Sequence, residues 1–231
     1  MRRDRRFEHV IVDAASTDGT RALLAQLPDA GGTRVLSEPD EGIYDGINKC
    51  TRIATGRYVL FLNAGDRLFA HPATLATALA DGLRDDAQIF CFPYRIFFDD
   101  CARESVLDVG RRHRMPTSHQ AMCFAAVFLR AHPYNLRYRI AGDFDLVAKA
   151  ARERVVAADG MSPLVEVEGE GVPSSQPLRA YGEYALILLR GGWGPAMAMA
   201  LARVLARGVT VVLLKSLLPR RILASLRRVF G

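Results

Sequence analysis

The stretch YVLFLNAGD, residues 58–66, decides how the fold is read. Tyr58 to Leu62 are apolar or aromatic and favour extended backbone, so they predict a strand buried on both faces. Polarity changes at Asn63, a small pair Ala64-Gly65 follows, and Asp66 closes the stretch. A carboxylate just past the carboxyl end of a buried strand stands where open α/β sheets bind ligands. Taken alone, the residues also fit a strand ending in a turn, with Asp66 capping the segment around Leu68, because Gly and Asp are common in turns. The neighbouring segments tip the balance.

Upstream, HVIVD (residues 9–13) predicts a short strand that runs into the polar turn ASTDGT (15–20). Thr20 to Leu27 has helical spacing, with Leu23, Leu24 and Leu27 on one face and Thr17 or Asp18 placed to cap it. Arg34 to Ser37 predicts a second strand, followed by the acidic turn EPDEG (38–42). Ile43 to Thr55 predicts a helix whose apolar face is Ile43, Ile47 and Ile53, with Cys50 and Ala54. Gly56 ends it, and YVLFLNAGD begins. Strand and helix thus alternate through the first seventy residues, which predicts parallel strands with crossover helices.

These segments together resemble glycosyltransferase family 2, the GT-A transferases that use nucleotide diphosphate sugars. The resemblance rests on VDAASTDGT, EPDEGIYDGINK and ATGRYVLFLNAGD, three motifs in the family's order and spacing, and covers roughly residues 7 to 150. It is strongest to polysaccharide-biosynthesis members whose third motif ends LNSGD or LNAGD. It implies a Rossmann-like, mostly parallel α/β sheet flanked by helices. It also implies a strand and helix upstream of HVIVD, the strand lying inside the sheet. The sequence begins about where the family's second strand does. Either the recorded start is late or this is a natural short form with a compromised base pocket; the late start is expected.

The resemblance also implies roles. Asp13 is similar to the family residue that contacts the nucleoside, and Asp45, Asn48 and Asn63 fall on the donor side. Asp45 and Asn48 lie three apart on one helical face, so they can point into one crevice, although by themselves they equally suit a solvated face. Asp66 matches the last acid of the DxD-type motif, which implies a bound Mg²⁺ or Mn²⁺ at the diphosphate. Ala14, Asn63 and Gly65 stand where the family has acids. Asp66 is then the one strong ligand of its loop, and metal binding is either weak or carried mainly by substrate phosphates and water.

Farther on, Pro72 to Arg84 predicts a helix with Leu75, Leu79 and Leu83 at four-residue spacing. Gln88 to Phe98 predicts a strand with an edge or bulge at Pro93. In SHQAMCF (118–124), His119 and Gln120 resemble an acceptor-side or diphosphate-side pair ahead of a strand, although a loop histidine is more often structural. AGDFDL (141–146) opens a helix running to about Arg154 and resembles the motif that carries the general base. Asp143 is the matching acid, with Asp145 as the alternative, and Gly142 stands where the family has a preceding acid. Asp143 also suits a helix N-terminus as a cap. VPSSQ (172–176) faintly echoes a GGxS motif of related members.

Composition divides the chain into a catalytic domain, residues 1–175, and a basic tail, residues 176–231. The net charge is +6, and the tail holds nine Lys/Arg against one acid, Glu183, or +8, so residues 1–175 carry −2. A uniform nucleic-acid-binding face is therefore not expected. The tail's apolar patches, Tyr184–Leu189, Pro195–Ala206 and Val209–Leu218, are each shorter than a spanning helix and are interrupted by Arg190, Arg203, Arg207 and Lys215. They predict helices lying in a membrane interface, the alternative being a helical subdomain packed on the core or on a dimer partner. Four cysteines without metal spacing suit a reducing compartment, and no secretory leader is expected. The function expected is inverting transfer of a sugar to a lipid-linked glycan at the inner face of the cell membrane. A sugar-nucleotidyltransferase would carry a GxGxRL-type loop, which is not found; a non-catalytic membrane-bound scaffold is the other rival.

Overall fold

The computed structural model describes residues 6–27, 32–82, 87–98, 101–105, 107–109, 114–150, 154–158, 160–168, 176–191 and 195–217. The chain divides into two compact units, Met1–Gly169 and Glu170–Gly231. The VPSSQ motif and Leu83 fall outside or partly outside the described residues.

In the first unit, β1 (His9–Asp13) pairs in parallel with β2 (Thr33–Ser37), as the intervening α1 (Thr20–Ala25) predicts. Gly19 caps α1 in a left-handed conformation, and Asp18 takes the Thr20 N–H at 3.1 Å. The predicted apolar face of α1 stays largely uncovered, with Leu23 67% exposed. α2 (Ile43–Ile53) follows, and its buried side is the predicted one only in part: Ile47 and Ala54 are buried and Cys50 packs on the core. Ile43 is exposed, whereas Tyr44, Ile47, Lys49 and Thr51 are buried. Polar Tyr44 and Lys49 can go inside because each finds partners there. The Tyr44 hydroxyl donates to the Ile140 carbonyl, and Lys49 Nζ bonds the Pro39 carbonyl and pairs with Glu38 and Asp45.

The central sheet has the order β3 (Tyr58–Leu60), β8 (Met122–Ala125), β5 (Ile89–Cys91), β9 (Val155–Ala157). A third sheet has the order β4 (Arg67–Leu68), β10 (Val165–Glu168), β6 (Tyr94–Phe98), β7 (Cys101–Glu104). The mostly parallel sheet expected from the sequence is corrected to a mixed one: among the described residues three ladders are parallel and four antiparallel. In the central sheet the cause is β8, which leaves a 3₁₀ turn at His119–Ala121 and runs against both β3 and β5; in the third sheet β4 runs against β10 and β7 against β6. Strict strand–helix alternation, which forces parallel pairing, ends at β3.

The burial predicted for YVLFL holds in part: Val59 and Phe61 pack into one core and Tyr58 and Leu60 against another. β3 stands at an end of its sheet with all three residues half-buried, and Leu62 is 45% exposed. β5 and β8, each paired on both sides, are the strands buried on both faces. Their two-residue period sends Ile89, Cys91, Met122 and Phe124 into one core with α2, α4 (Ala126–Ala131) and α5 (Gly142–Lys149). Phe90, Phe92 and Cys123 enter a second core with Leu75 of α3 (Pro72–Gly82) and with Val165 and Val167 of β10. Each buried phenylalanine contributes about 1.5–3 kcal/mol. Pro93 marks a change of sheet rather than a bulge: β5 ends before it and β6 begins after it. Cys50, Cys91 and Cys123 are free thiols, and burial pushes Cys91 up to about 12, so it is inert.

In the second unit, α6 (Pro177–Arg190) packs on α7 (Pro195–Leu217). Two of the predicted apolar patches join in α7, because Gly208 does not break the helix. A Cβ there would stand 3.0 Å from the Tyr181 ring of α6, so glycine permits the close approach. Among the described residues no helix is long and apolar enough to cross a membrane.

Candidate functional site

The carboxyl end of β3 turns sharply. Asp66 N–H donates to the Asn63 carbonyl at 3.1 Å, and Asp66 Oδ2 accepts the Asn63 N–H at 3.2 Å. Gly65 has a φ of 96°, in the left-handed region, so the acid that the family carries at this place would be strained here. The turn therefore presents Asp66 as its acid, half-buried, beside Asn63.

Asp13, at the end of β1, is buried. The parallel register sets it opposite Ser37, whose hydroxyl donates to its Oδ2 at 2.6 Å, and Ser16 N–H adds a bond at 3.1 Å. Hydrogen bonds from Ser16 and Ser37 hold its carboxyl below the usual range. Ala15 between them has a φ of 57°, a strained value for a residue with a side chain. Gly46 of α2 faces β1, where a Cβ would meet Val12 at an ordinary 4.0 Å, and it leaves room for the Asp40 carboxylate, 3.3 Å from where that Cβ would stand. The start of α2 is thus beside the end of β1. In its first turn Asp45 accepts the Glu41 N–H at 3.2 Å and pairs with Lys49 at 3.2 Å, and the two contacts hold its carboxyl below the ordinary value.

Asn48 is fully engaged with backbone. Its Nδ2 donates to the Tyr134 carbonyl at 3.0 Å, and its Oδ1 accepts the Tyr134 N–H at 2.9 Å. Tyr134 is a residue that sequence reasoning missed. Its ring stacks on Tyr44 at 5.2 Å, and its hydroxyl meets His119 Nε2 at 2.7 Å. His119 is buried and stacks on Phe61, two residues before Asn63 opens the acid turn. Burial pushes its imidazole down to about 4, so it stands neutral in the interior. Gln120 is half-buried and accepts the Ser118 hydroxyl at 2.5 Å.

Asp143 lies in the first turn of α5, where its Oδ1 takes the Phe144 N–H at 2.8 Å. Burial pushes the Tyr134 hydroxyl well above its ordinary value, and the Asp143 charge adds to the shift. Asp145, the alternative acid, is bound to Lys149 at 2.7 Å. The acid turn and the α5 start therefore rest on one cluster: Phe61, His119, Tyr134 and Tyr44. The sequence signal for it was present but unread, because Tyr44 and Asn48 lie four apart on α2 and reach the same segment.

A divalent ion finds a sparse protein donor set. Among the described residues no three His, Cys, Asp or Glu side chains gather to form a metal cluster. Asp66 with Asn63 fits a cation that keeps waters and takes phosphate oxygens, the usual habit of Mg²⁺.

The family model "Glycosyl transferase family 2" matches residues 2–134. The chain belongs to glycosyl transferase family 2. Among relatives, a PGL/p-HBAD biosynthesis glycosyltransferase of Mycobacterium bovis is 29% identical over 143 residues, 60% of this chain and 56% of that protein. An uncharacterized glycosyltransferase of Mycobacterium tuberculosis is 29% identical over 153 residues, 63% of this chain and 58% of that protein. The chain thus spans a little over half the length of these curated relatives. Among solved structures, residues 1–349 of S. aureus TarS in complex with UDP match with a TM-score of 0.63 and 17% identity, over 89% of this chain and 63% of that one. TarS with UDP-GlcNAc matches with a TM-score of 0.63 and 16% identity, over 89% and 64%. The mixed α/β architecture is the GT-A fold of these transferases.

Proposed function

We propose that this family member transfers a sugar, with inversion, from a nucleotide diphosphate sugar to a lipid-linked glycan in cell-surface polysaccharide biosynthesis, at the inner face of the cell membrane. The observation that carries this reading is the shared foundation of the two acids. The Asp66 turn and the Asp143 helix start stand on the same aromatic cluster, Phe61–His119–Tyr134–Tyr44. UDP is the first donor nucleotide to test, because the TarS structures were solved with UDP and UDP-GlcNAc.

Asp143 accepts the proton of the acceptor hydroxyl as its oxygen bonds to the anomeric carbon and the nucleoside diphosphate leaves. Asp66 and Asn63 would hold Mg²⁺ or Mn²⁺, which when bound offsets the charge of the leaving diphosphate. Asp13 and Asp45 line the donor side, where β1 ends and α2 begins. Asn48 serves that side by holding Tyr134. Gln120 meets the acceptor or diphosphate, with His119 behind it as support.

Two variants test the reading by calorimetry and turnover. Asp66→Asn is expected to abolish Mn²⁺-dependent UDP binding while the fold survives; unchanged binding would remove the metal assignment. Asp143→Asn is expected to lose about 10²–10⁴ in turnover with UDP affinity unchanged. Wild-type transfer by that variant would move the base to Asp145 or elsewhere.

A further inference from the structure

α5 begins without a cap of its own. Ala141 occupies the N-cap position and makes no side-chain cap bond, and Asp143 Oδ1 takes the Phe144 N–H but does not reach back to Gly142. Helix starts normally satisfy those groups with a Ser, Thr, Asp or Asn side chain. Here the service comes from another helix. Tyr44 of α2 accepts the Gly142 N–H on its hydroxyl at 3.0 Å and donates its own proton to the Ile140 carbonyl at 2.6 Å. Tyr44, Ile140 and Gly142 are all buried, so water does not compete for these groups.

The ring matters as much as the hydroxyl. A Cβ on residue 142 would lie 2.7 to 2.9 Å from three Tyr44 ring atoms. Residue 142 must therefore be glycine while Tyr44 keeps its place, which gives a steric reason for the missing acid before Asp143. The ring also stacks on Tyr134 at 5.2 Å with an interplanar angle of 11°. Asn48, one turn along α2, bonds both backbone groups of Tyr134. One helix thus grips the segment 134–142 near both of its ends, and Asp143 is the next residue.

We propose that Tyr44 is a positioning residue for Asp143: its hydroxyl caps α5 and its ring sets how closely the helix start approaches α2, and together they fix where the Asp143 carboxylate stands. The same helix carries Asp45 one residue later, so base placement is tied to the element that forms the donor side. This rests on Asp143 being the base.

Tyr44→Phe removes the cap and keeps the ring stack; Gly142→Ala pushes on the ring and keeps the hydroxyl. Hydrogen exchange at the Gly142 amide reads the clamp directly. Turnover is read with UDP-GlcNAc, or with the best donor from a panel of UDP-, GDP- and dTDP-sugars, using cell membranes as acceptor, well below the melting temperature. Tyr44→Phe is expected to exchange Gly142 at least tenfold faster and to lose at least tenfold in kcat at unchanged donor KM. Gly142→Ala is expected to show the same kcat-only loss. Unchanged Gly142 exchange in Tyr44→Phe overturns the clamp. Wild-type kcat in both variants while Asp143→Asn is inactive overturns the positioning role alone. Full turnover by Asp143→Asn instead overturns the base assignment beneath it, so the two failures are distinct.

Discussion

His119 reads in the sequence either as a diphosphate-side or acceptor-side contact or as a structural loop histidine, and the fold buries it in the core. It is 8% exposed, stacked on Phe61 and bonded to the Tyr134 hydroxyl. Its pKa falls from 6.5 to about 4 because burial disfavours the imidazolium. The folded state thus resists a proton that the unfolded chain accepts. This contribution is full above about pH 6.5 and is lost progressively as pH falls toward 4, at about 1.4 kcal/mol per unit. Glu8, Asp13 and Asp45 have carboxyls held below their ordinary values, so their contributions are lost only at lower pH, beginning near the ordinary carboxylate range. Between about pH 6.5 and 4.5 the fall belongs chiefly to His119. Urea midpoints are expected to drop across that window in the wild type and to stay nearly level in His119→Asn. Equal slopes would show that His119 is protonated without cost.

At the scale of the element, α2 is the organiser. Its spacing was readable, but its buried stripe only in part: Ile47 and Ala54 are buried as expected, whereas a hydrophobic count ranks Ile43 above Tyr44 and Lys49. The ranking reverses once Ile140, Gly142, Pro39 and Glu38 supply partners. Asn48 follows the same logic: it looked like a donor contact and serves as a bracket for Tyr134. Asn48→Ala would leave the Tyr134 N–H and carbonyl without their partners, and a loss of about 2 kcal/mol in unfolding free energy is expected. Asn48→Asp keeps the acceptor but sets a carboxylate oxygen against the Tyr134 carbonyl, so its loss should be at least as large. Denaturant titration checks both, and a neutral Asn48→Ala would mean that water replaces the bracket.

At the scale of the molecule, the second unit keeps an apolar surface after its helices pack. Leu178 is 71% exposed, Val209 60%, and Met199 and Leu205 51% each, among Arg179, Arg203 and Arg207. A membrane interface would cover such a surface through apolar burial at about 25 cal/mol per Å² and through attraction of about 1 kcal/mol for each Lys or Arg at an anionic surface. Salt screens only the second contribution. High-salt washing is therefore expected to release part of the full-length chain from anionic vesicles and detergent the remainder. A chain that ignores such vesicles would return α6 and α7 to a purely structural role.

The local pattern in the sequence was enough for the family and for β1, β2, α2, α3 and the α5 start. Those features depend on residues close in the chain: strand period, helical spacing, a glycine that ends a helix. Three further matters were decided only by tertiary structure. β8 runs against β3 and β5, which makes the sheet mixed and moves the deepest burial away from YVLFL. Pro93 became a passage between sheets, because the Phe92 N–H before it reaches the Ala121 carbonyl and its own carbonyl takes the Leu164 N–H. Tyr44 became the cap of α5, 98 residues away. A polar side chain's value inside a protein depends on which distant groups meet it, and no local period records that.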